Sequence, residues 1–403
     1  MMRKRIGLFS MLLVALLATF SIVVTSASAA ARSGQNMQKE RATSAFPAQT
    51  FANSTASGIA IISSTDVWVV GSYRDAQLEQ HILTEHWNGS AWSVIPSPSV
   101  NSSELKAVAA VSSNDVWAVG NTAVTHDDYP TALVEHWNGT QWSVVSNIGL
   151  PKGSYGSQLE ALAVVSPTNI WAVGTTYINT IVPFQGLIEH WDGKQWSNVP
   201  AAANTKVLNG VFALSANNIW AVGSQVVSGH SSRSNTNIIH WDGTQWSNLS
   251  AGAFPFIEGE LTSITGTGVN NLWAVGYQVA KQAPIIVHWD GSTWSNVDSP
   301  SSGNGIQQTL SSITAVAPND IWAVGASVKN SVSTGLIVHR DGAKWSIVFS
   351  PTSVREAPVG SMCSGLIQGK ASGCPIGVRR SRSLSPSCMG SPRPARRNAF
   401  SRP

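Results

Sequence analysis

The segment D-V-W-A-V-G at 115–120, followed by H-W-N-G-T-Q-W-S at 136–143, decides the fold of this chain. Its W-A-V-G core recurs with Trp at 68 (as W-V-V-G), 117, 171, 220, 273 and 322, at spacings of 49, 54, 49, 53 and 49 residues. The second element, H-W-[ND]-G-x-x-W-S, recurs with His at 86, 136, 190, 240, 288 and 339, and its last copy has Arg340 in place of the first Trp. Three Trp per repeat over six repeats, less that one, account for all 17 Trp in 403 residues. The chain is a six-fold array, and a fold built from repeats is the first thing to test.

Each repeat carries four short strand signals rich in Val, Ala, Leu, Ile and Trp, separated by turn residues. In the second repeat they fall at 105–111, 116–121, 132–137 and 141–146, with a polar turn, Ser-Ser-Asn-Asp, at 112–115. Asn-Gly at 88–89 and 138–139, and Asp-Gly at 192–193, 242–243, 290–291 and 341–342, suit type I′ turns between the third and fourth strands. With that turn, or with direct pairing across a four-residue loop, Trp137 and Trp142 share a face. Nearly continuous apolar runs such as 107–111 predict strands buried on both faces. Four strands in about 50 residues, repeated radially, describe an all-β fold, a β-propeller of six four-stranded antiparallel blades. A β-solenoid is the alternative, with repeats that are usually shorter. The blades are expected at about 57–97, 104–146, 158–200, 206–250, 260–298 and 309–350. The first and sixth repeats each hold four strand signals. The ring is therefore expected to close by packing of blade 6 on blade 1, with no strand exchanged between the termini.

Six of the nine His occupy the repeated hairpin, blade-widths apart, too far to share one ion at bonds of about 2.1 Å. Each is expected to make the same structural contact in its own blade, and the hairpin Asp and Asn are expected to be turn residues. Loop lengths separate a uniform end from a variable one. From His to the second hairpin Trp the distance is six residues in every repeat. From the W-A-V-G glycine to the His it is 15, 16, 16, 17, 12 and 14, and from the second Trp to the next W-A-V-G Trp it is 25, 29, 24, 27 and 28. In an up-and-down blade both variable loop sets open on one end, where ligand specificity is expected. The candidate binding residues there are Tyr73, Arg74, Asp75, His126, Asp127, Asp128, Tyr129, Tyr177, Arg233 and Tyr277. His126-Asp127-Asp128 is the densest polar cluster, and the Tyr side chains can form an aromatic rim for sugar or peptide. Glu258 and Glu260 stand two apart on one segment, and no second carboxylate pair of the kind a glycosidase needs stands out. No catalytic residue, metal or cofactor is assigned.

Hydrophobic residues make up 43% and charged residues 11%, ample for a core. The net charge of +4 is segregated: residues 51–350 carry 10 Lys+Arg and 19 Asp+Glu, while 1–50 carry 6 and 1 and 351–403 carry 9 and 1. An acidic repeat body argues against nucleic acid as a partner. Met1–Arg5 is basic, Ile6–Val24 apolar, and small residues follow to Ala31, so 1–31 reads as an export signal, or as an uncleaved anchor and the one route to a membrane. Residues 32–56 read as a linker, and the body as secreted, extracellular or envelope-attached. Cys363, Cys374 and Cys388 all lie in the tail, so the body needs no disulfide. The tail, 351–403, holds no Trp and no repeat element and is rich in Arg, Ser and Pro, a composition that predicts disorder. It reads as an array cut short by a frameshift, or else as a basic tail for a wall or membrane.

The roughly 50-residue period and the Gly closing the second strand, at 71, 120, 174, 223, 276 and 325, resemble kelch repeats and the galactose-oxidase-like propeller over about 57–350. Kelch blades show a Gly pair there and a spaced Tyr and Trp; this chain has one Gly and a Trp pair. The copper centre of galactose oxidase needs a Cys cross-linked to Tyr, and the body has no Cys. The W-[ND]-G-x-x-W hairpin also looks like the Asp-box of sialidase-type propellers, though here Asp and Gly are adjacent. A sialidase arginine cluster cannot be assembled from Arg74, Arg233 and Arg340. The resemblance implies architecture and leaves two classes of function: a propeller that binds a glycan or an extracellular protein through its variable loops, or a polysaccharide-active lyase or hydrolase. A purely structural surface protein is the third.

Overall fold

The computed structural model describes residues 54–348, apart from 99–101, 123–128, 146–150, 179–183, 228–229, 250–256, 279 and 301–305 and the side chains of 227 and 230–233. The proposed signal, most of the linker and the tail lie outside the described residues. The chain forms a six-bladed all-β propeller. Each blade is a four-stranded antiparallel sheet whose strands lie in sequence order. In blade 2 these strands are Ser103–Ser112, Asp115–Thr122, Ala132–Trp137 and Trp142–Val144. First strands of successive blades run close to one another, whereas each fourth strand has its main backbone neighbour in the third strand of its own blade. The first strands are therefore the hub and the short fourth strands the rim.

Successive blades are joined by one repeated lock. The W-A-V-G Trp of each blade inserts against the hairpin Trp pair of the next: Trp68 lies 4.9 Å from Trp137 and edge-on to Trp142, Trp117 meets Trp191 and Trp196, and Trp171 meets Trp241 and Trp246. Trp220 does the same with Trp289 and Trp294. Where Arg340 replaces the first Trp, its guanidinium sits 4.8 Å over Trp273 and Trp345 supplies the edge. The flat, delocalised cation stacks where an indole would. Five buried apolar clusters result, one at each junction from blade 1–2 to blade 5–6.

The repeated His is structural. His136 Nε2 bonds Asp115 Oδ1 at 2.8 Å while its ring stacks on Trp117, and Trp117 Nε1 donates to the same carboxylate. The His bond recurs from His86 to His339, with Asn169, Asn218 and Asn271 replacing Asp in three blades, and the Trp bond recurs in blades 2 to 6. The hairpin is not a type I′ turn. Trp137 pairs directly with Trp142, and of the four loop residues only Gly139 has positive φ, at 91°. Asn138 Oδ1 instead accepts the amides of Thr140 and Gln141, an Asx turn that leaves Asn138 itself in ordinary backbone space. Asp192, Asp242 and Asp290 do the same; the Thr244 hydroxyl and then the amides hold the Asp242 carboxyl down at about 2, and the Thr293 amide and then the Ser292 hydroxyl do so for Asp290.

The expected closure of the ring is not observed. Among the described residues no packing comparable to the five junctions joins blade 6 to blade 1. Trp322 stacks on its own His339, and Trp87 and Trp92 stack on each other.

Candidate functional site: the loop-bearing mouth of the hub

The end of each second strand pairs with the start of the hub strand and of the third strand, so the variable loops share one end, as their lengths imply. Just inside that end every hub strand carries a β-bulge. In blade 2, Leu105 pairs with Gly120 and Ala107 with Val119, leaving Lys106 unpaired between them. Ser57, Glu160, Asn209, Thr262 and Ser311 hold this position in the other blades. The W-A-V-G glycine exists to admit the bulge. A Cβ on Gly120 would fall on the carbonyl oxygen of Glu104 and lie 2.8 Å from Leu105 Cα, and the other five glycines meet the same backbone. A bulge re-aims one side chain and often marks a functional rim.

The re-aimed side chains meet those of the preceding hub residues. Lys106 Nζ pairs with Glu104 at 2.7 Å, Gln158 Nε2 donates to Glu160 at 2.9 Å, and Asn209 Nδ2 donates to Glu260 at 2.6 Å across a blade junction. Burial pushes the Glu160 carboxyl up; Lys106 opposes this, and Glu104 and Glu260 add to it. Glu160 belongs to blade 3 and Glu260 to blade 5, and both lie at the loop end of their hub strands. Thr262 differs, since its hydroxyl donates to Leu310 O and ties blade 5 to blade 6.

An aromatic patch adjoins this collar on blades 2 and 3. Tyr129 lies 6.0 Å from Tyr155 and 5.5 Å from Tyr177, and Tyr177 lies 5.5 Å from Phe184, over which Lys206 Nζ stands at 5.7 Å. Tyr129 and Tyr155 are 55% and 56% exposed. Tyr129 is nevertheless anchored. Pro130 O accepts the Ser157 amide at 2.7 Å, the Ala132 amide donates to Ser157 Oγ, and the lack of a side chain at Gly156 lets the loop lie on blade 3. Tyr177 joins patch to collar, its hydroxyl donating to Gln158 Oε1 at 2.9 Å. Burial and the Glu160 charge raise the Tyr177 phenol, and burial and Glu260 raise that of Tyr277.

The other candidates separate. Asp75 Oδ1 accepts the amides of Gln77 and Glu79, and Oδ2 meets His81 Nε2 at 2.8 Å. These bonds, His81 first, lower the Asp75 carboxyl. Tyr73 stacks on His81. Asp75, Glu79 and His81 form a triple that could hold a metal ion, but both Asp75 oxygens are already engaged within the loop. Arg74 is exposed at the end of its strand. His126, Asp127 and Asp128 lie outside the described residues, as does the Arg233 side chain. An open cleft of about 430 Å³ lies elsewhere, beside Glu258, Lys281 and Asp298.

Tyr155 and the collar were not foreseen. The collar has a signal in the sequence: one polar residue follows the hub Leu in L-K-A-V, L-E-A-L, L-N-G-V, L-T-S-I and L-S-S-I, interrupting an otherwise apolar run. The carboxylates that stood far apart along the chain, Glu104, Glu160 and Glu260, become neighbours only when hub strands of different blades converge.

What the fold and its mouth define is an all-β propeller with a polar axial collar and a loop-borne aromatic platform. No family model and no curated protein matches the chain. Comparison with solved structures gives similarities at low identity. The structure entitled YCF48 bound to D1 peptide is 17% identical with a TM-score of 0.45, over 73% of this chain and 81% of that one. The SapL1 lectin in complex with alpha methyl fucoside is 13% identical with a TM-score of 0.46, over 74% and 97%. The soluble aldose sugar dehydrogenase of Escherichia coli is 12% identical with a TM-score of 0.44, over 72% and 98%. Neither kelch, galactose oxidase nor Asp-box membership is established.

Proposed function

We propose that this propeller is an exported binding protein that takes a glycan at the loop-bearing mouth of its hub. The observation that carries this is the exposed pair Tyr129 and Tyr155, packed with the half-buried Tyr177 beside a collar of carboxylate, amide and ammonium groups. A sugar presents apolar C–H faces that lie on aromatic rings and hydroxyls that need directed polar partners, and a site of this kind supplies both. Export is supported by the basic, apolar and small-residue order of 1–31. No described helix is long and apolar enough to cross a membrane. Screening the full chain on a glycan array tests the assignment. A hit weakened by Tyr129→Ala and Tyr155→Ala supports it, while a protein ligand indifferent to both substitutions moves the site elsewhere.

A second reading rests on Glu160, whose burial-raised carboxyl stands near two further carboxylates, as a general acid would. Polysaccharide cleavage by the chain, abolished by Glu160→Gln with binding retained, would establish this enzyme.

A further inference from the structure

The two faces left uncovered are the two halves of one lock. Val324 is 44% exposed, whereas its equivalents Val70, Val119, Val173, Val222 and Val275 are fully buried. On blade 1, Ile59 is 60% exposed where Val108 and Ile264 are buried, and Val67 and Val69 are half-buried where Val116 and Ala118 are fully buried. Trp92 is half-buried, while Trp142, Trp196, Trp246, Trp294 and Trp345 are buried. Trp322 is the inserting half of the lock and Trp87 with Trp92 the receiving half. Terminal units of a repeat protein normally carry a polar outer face. These keep the apolar residues of an interior junction instead.

We propose that the space between blade 6 and blade 1 is the seat of one further blade of this repeat, joined after Val348, whose hairpin Trp pair receives Trp322 and whose own W-A-V-G Trp enters between Trp87 and Trp92. The existing junctions identify the occupant, since each interior blade presents a receiving face to the blade before it and an inserting face to the blade after it, the complements of the two uncovered faces. Residues 1–53 and 349–403 hold no Trp, so they cannot supply the lock. One added blade covers both faces at once.

The test begins with the full chain. Trp273→Ala should lower its melting temperature by several degrees and Trp322→Ala should leave it nearly unmoved, with the chain monomeric by light scattering. Equal losses would overturn the proposal: in a monomer they would show blade 6 mated to blade 1, and in a dimer they would show a second copy covering the faces. A seventh repeat, copied in turn from 154–200 and from 205–250, is then inserted after Val348. The extended chain should melt higher, with Trp fluorescence less accessible to acrylamide, and Trp322→Ala should now cost as much as Trp273→Ala. A silent Trp322→Ala in the extended chain, or failure of both extended chains to fold, would refute it.

Discussion

At the hairpin end of this propeller one set of contacts recurs from blade to blade; at the loop end the side chains differ between most blades. The hairpin end holds the His–Asp/Asn bond, the Asx turn and the Trp lock, six or five times over. Six equivalent sites offer a ligand nothing to choose between, so that end holds the structure together. The loop end sets Lys106, Glu160, Asn209 and Thr262 at equivalent positions of four neighbouring blades and groups three Tyr side chains on blades 2 and 3. Stability and specificity are therefore assigned to opposite ends of the same strands.

The sharpest way to break that division is Trp171→Ala. Loss of a buried lock residue should cost about 3–5 kcal/mol. A denaturation midpoint that does not move would place Trp171 outside the core.

Titration probes an exception to the uniformity. The residue before the repeated His is Glu in blades 1–3 and Ile239, Val287 or Val338 in blades 4–6. Glu135 and Glu189 are fully buried, and desolvation pushes both up to about 7, against the bonds from Ser97 and Asn198. The folded state then holds protons that the unfolded chain releases above about 4.5. Stability is greatest at the acid end of that window and falls as pH rises to about 7, by on the order of 3 kcal/mol or less per group. Melting at pH 5 and pH 8 should differ accordingly. The double substitution Glu135→Gln with Glu189→Gln should flatten the difference, and an unaltered slope would assign it to other groups.

Gly174→Ala tests the bulge and should cost about 1–3 kcal/mol by overpacking against the carbonyl of Gln158. Full tolerance, measured in urea, would mean that the hub strand can relax. Asn138→Ala removes an Asx turn and should cost about 1 kcal/mol, leaving ligand affinity of the folded fraction alone. Smallest for the fold is the loop-end pair. Tyr129→Ala and Tyr155→Ala should each stay within about 0.5 kcal/mol in stability. Together they should weaken glycan binding about tenfold or more, equivalent to about 1.4 kcal/mol. Large destabilisation from either would identify the patch as core.

Blade number, strand order and the division into two ends were legible because Trp, Gly and Asn/Asp recur in register and each answers to a local rule. The turn type was not. An adjacent Asn-Gly satisfies a type I′ turn in isolation, but the Trp137–Trp142 pairing selected a longer loop in which only Gly139 is left-handed. The aromatic rim was half legible: Tyr129 and Tyr177 were named, while Tyr155 lies on the next blade's hub strand and joins them only through the fold. Closure was not legible, because four strand signals per blade describe each blade by itself and not the mating of the first blade with the last.

The glycine under each bulge has a consequence for how such a protein can change. It confines the backbone demand to a residue without a side chain, so the neighbouring bulge position accepts several side-chain types, even where, as with Asn209 and Thr262, the side chain also bonds across a blade junction. Lysine, glutamate, asparagine, threonine and serine all occupy it with the same pairing on either side. The axis is thus lined by interchangeable sockets. A lineage, or an engineer, could rewrite the mouth one blade at a time, altering charge and shape there without renegotiating the fold.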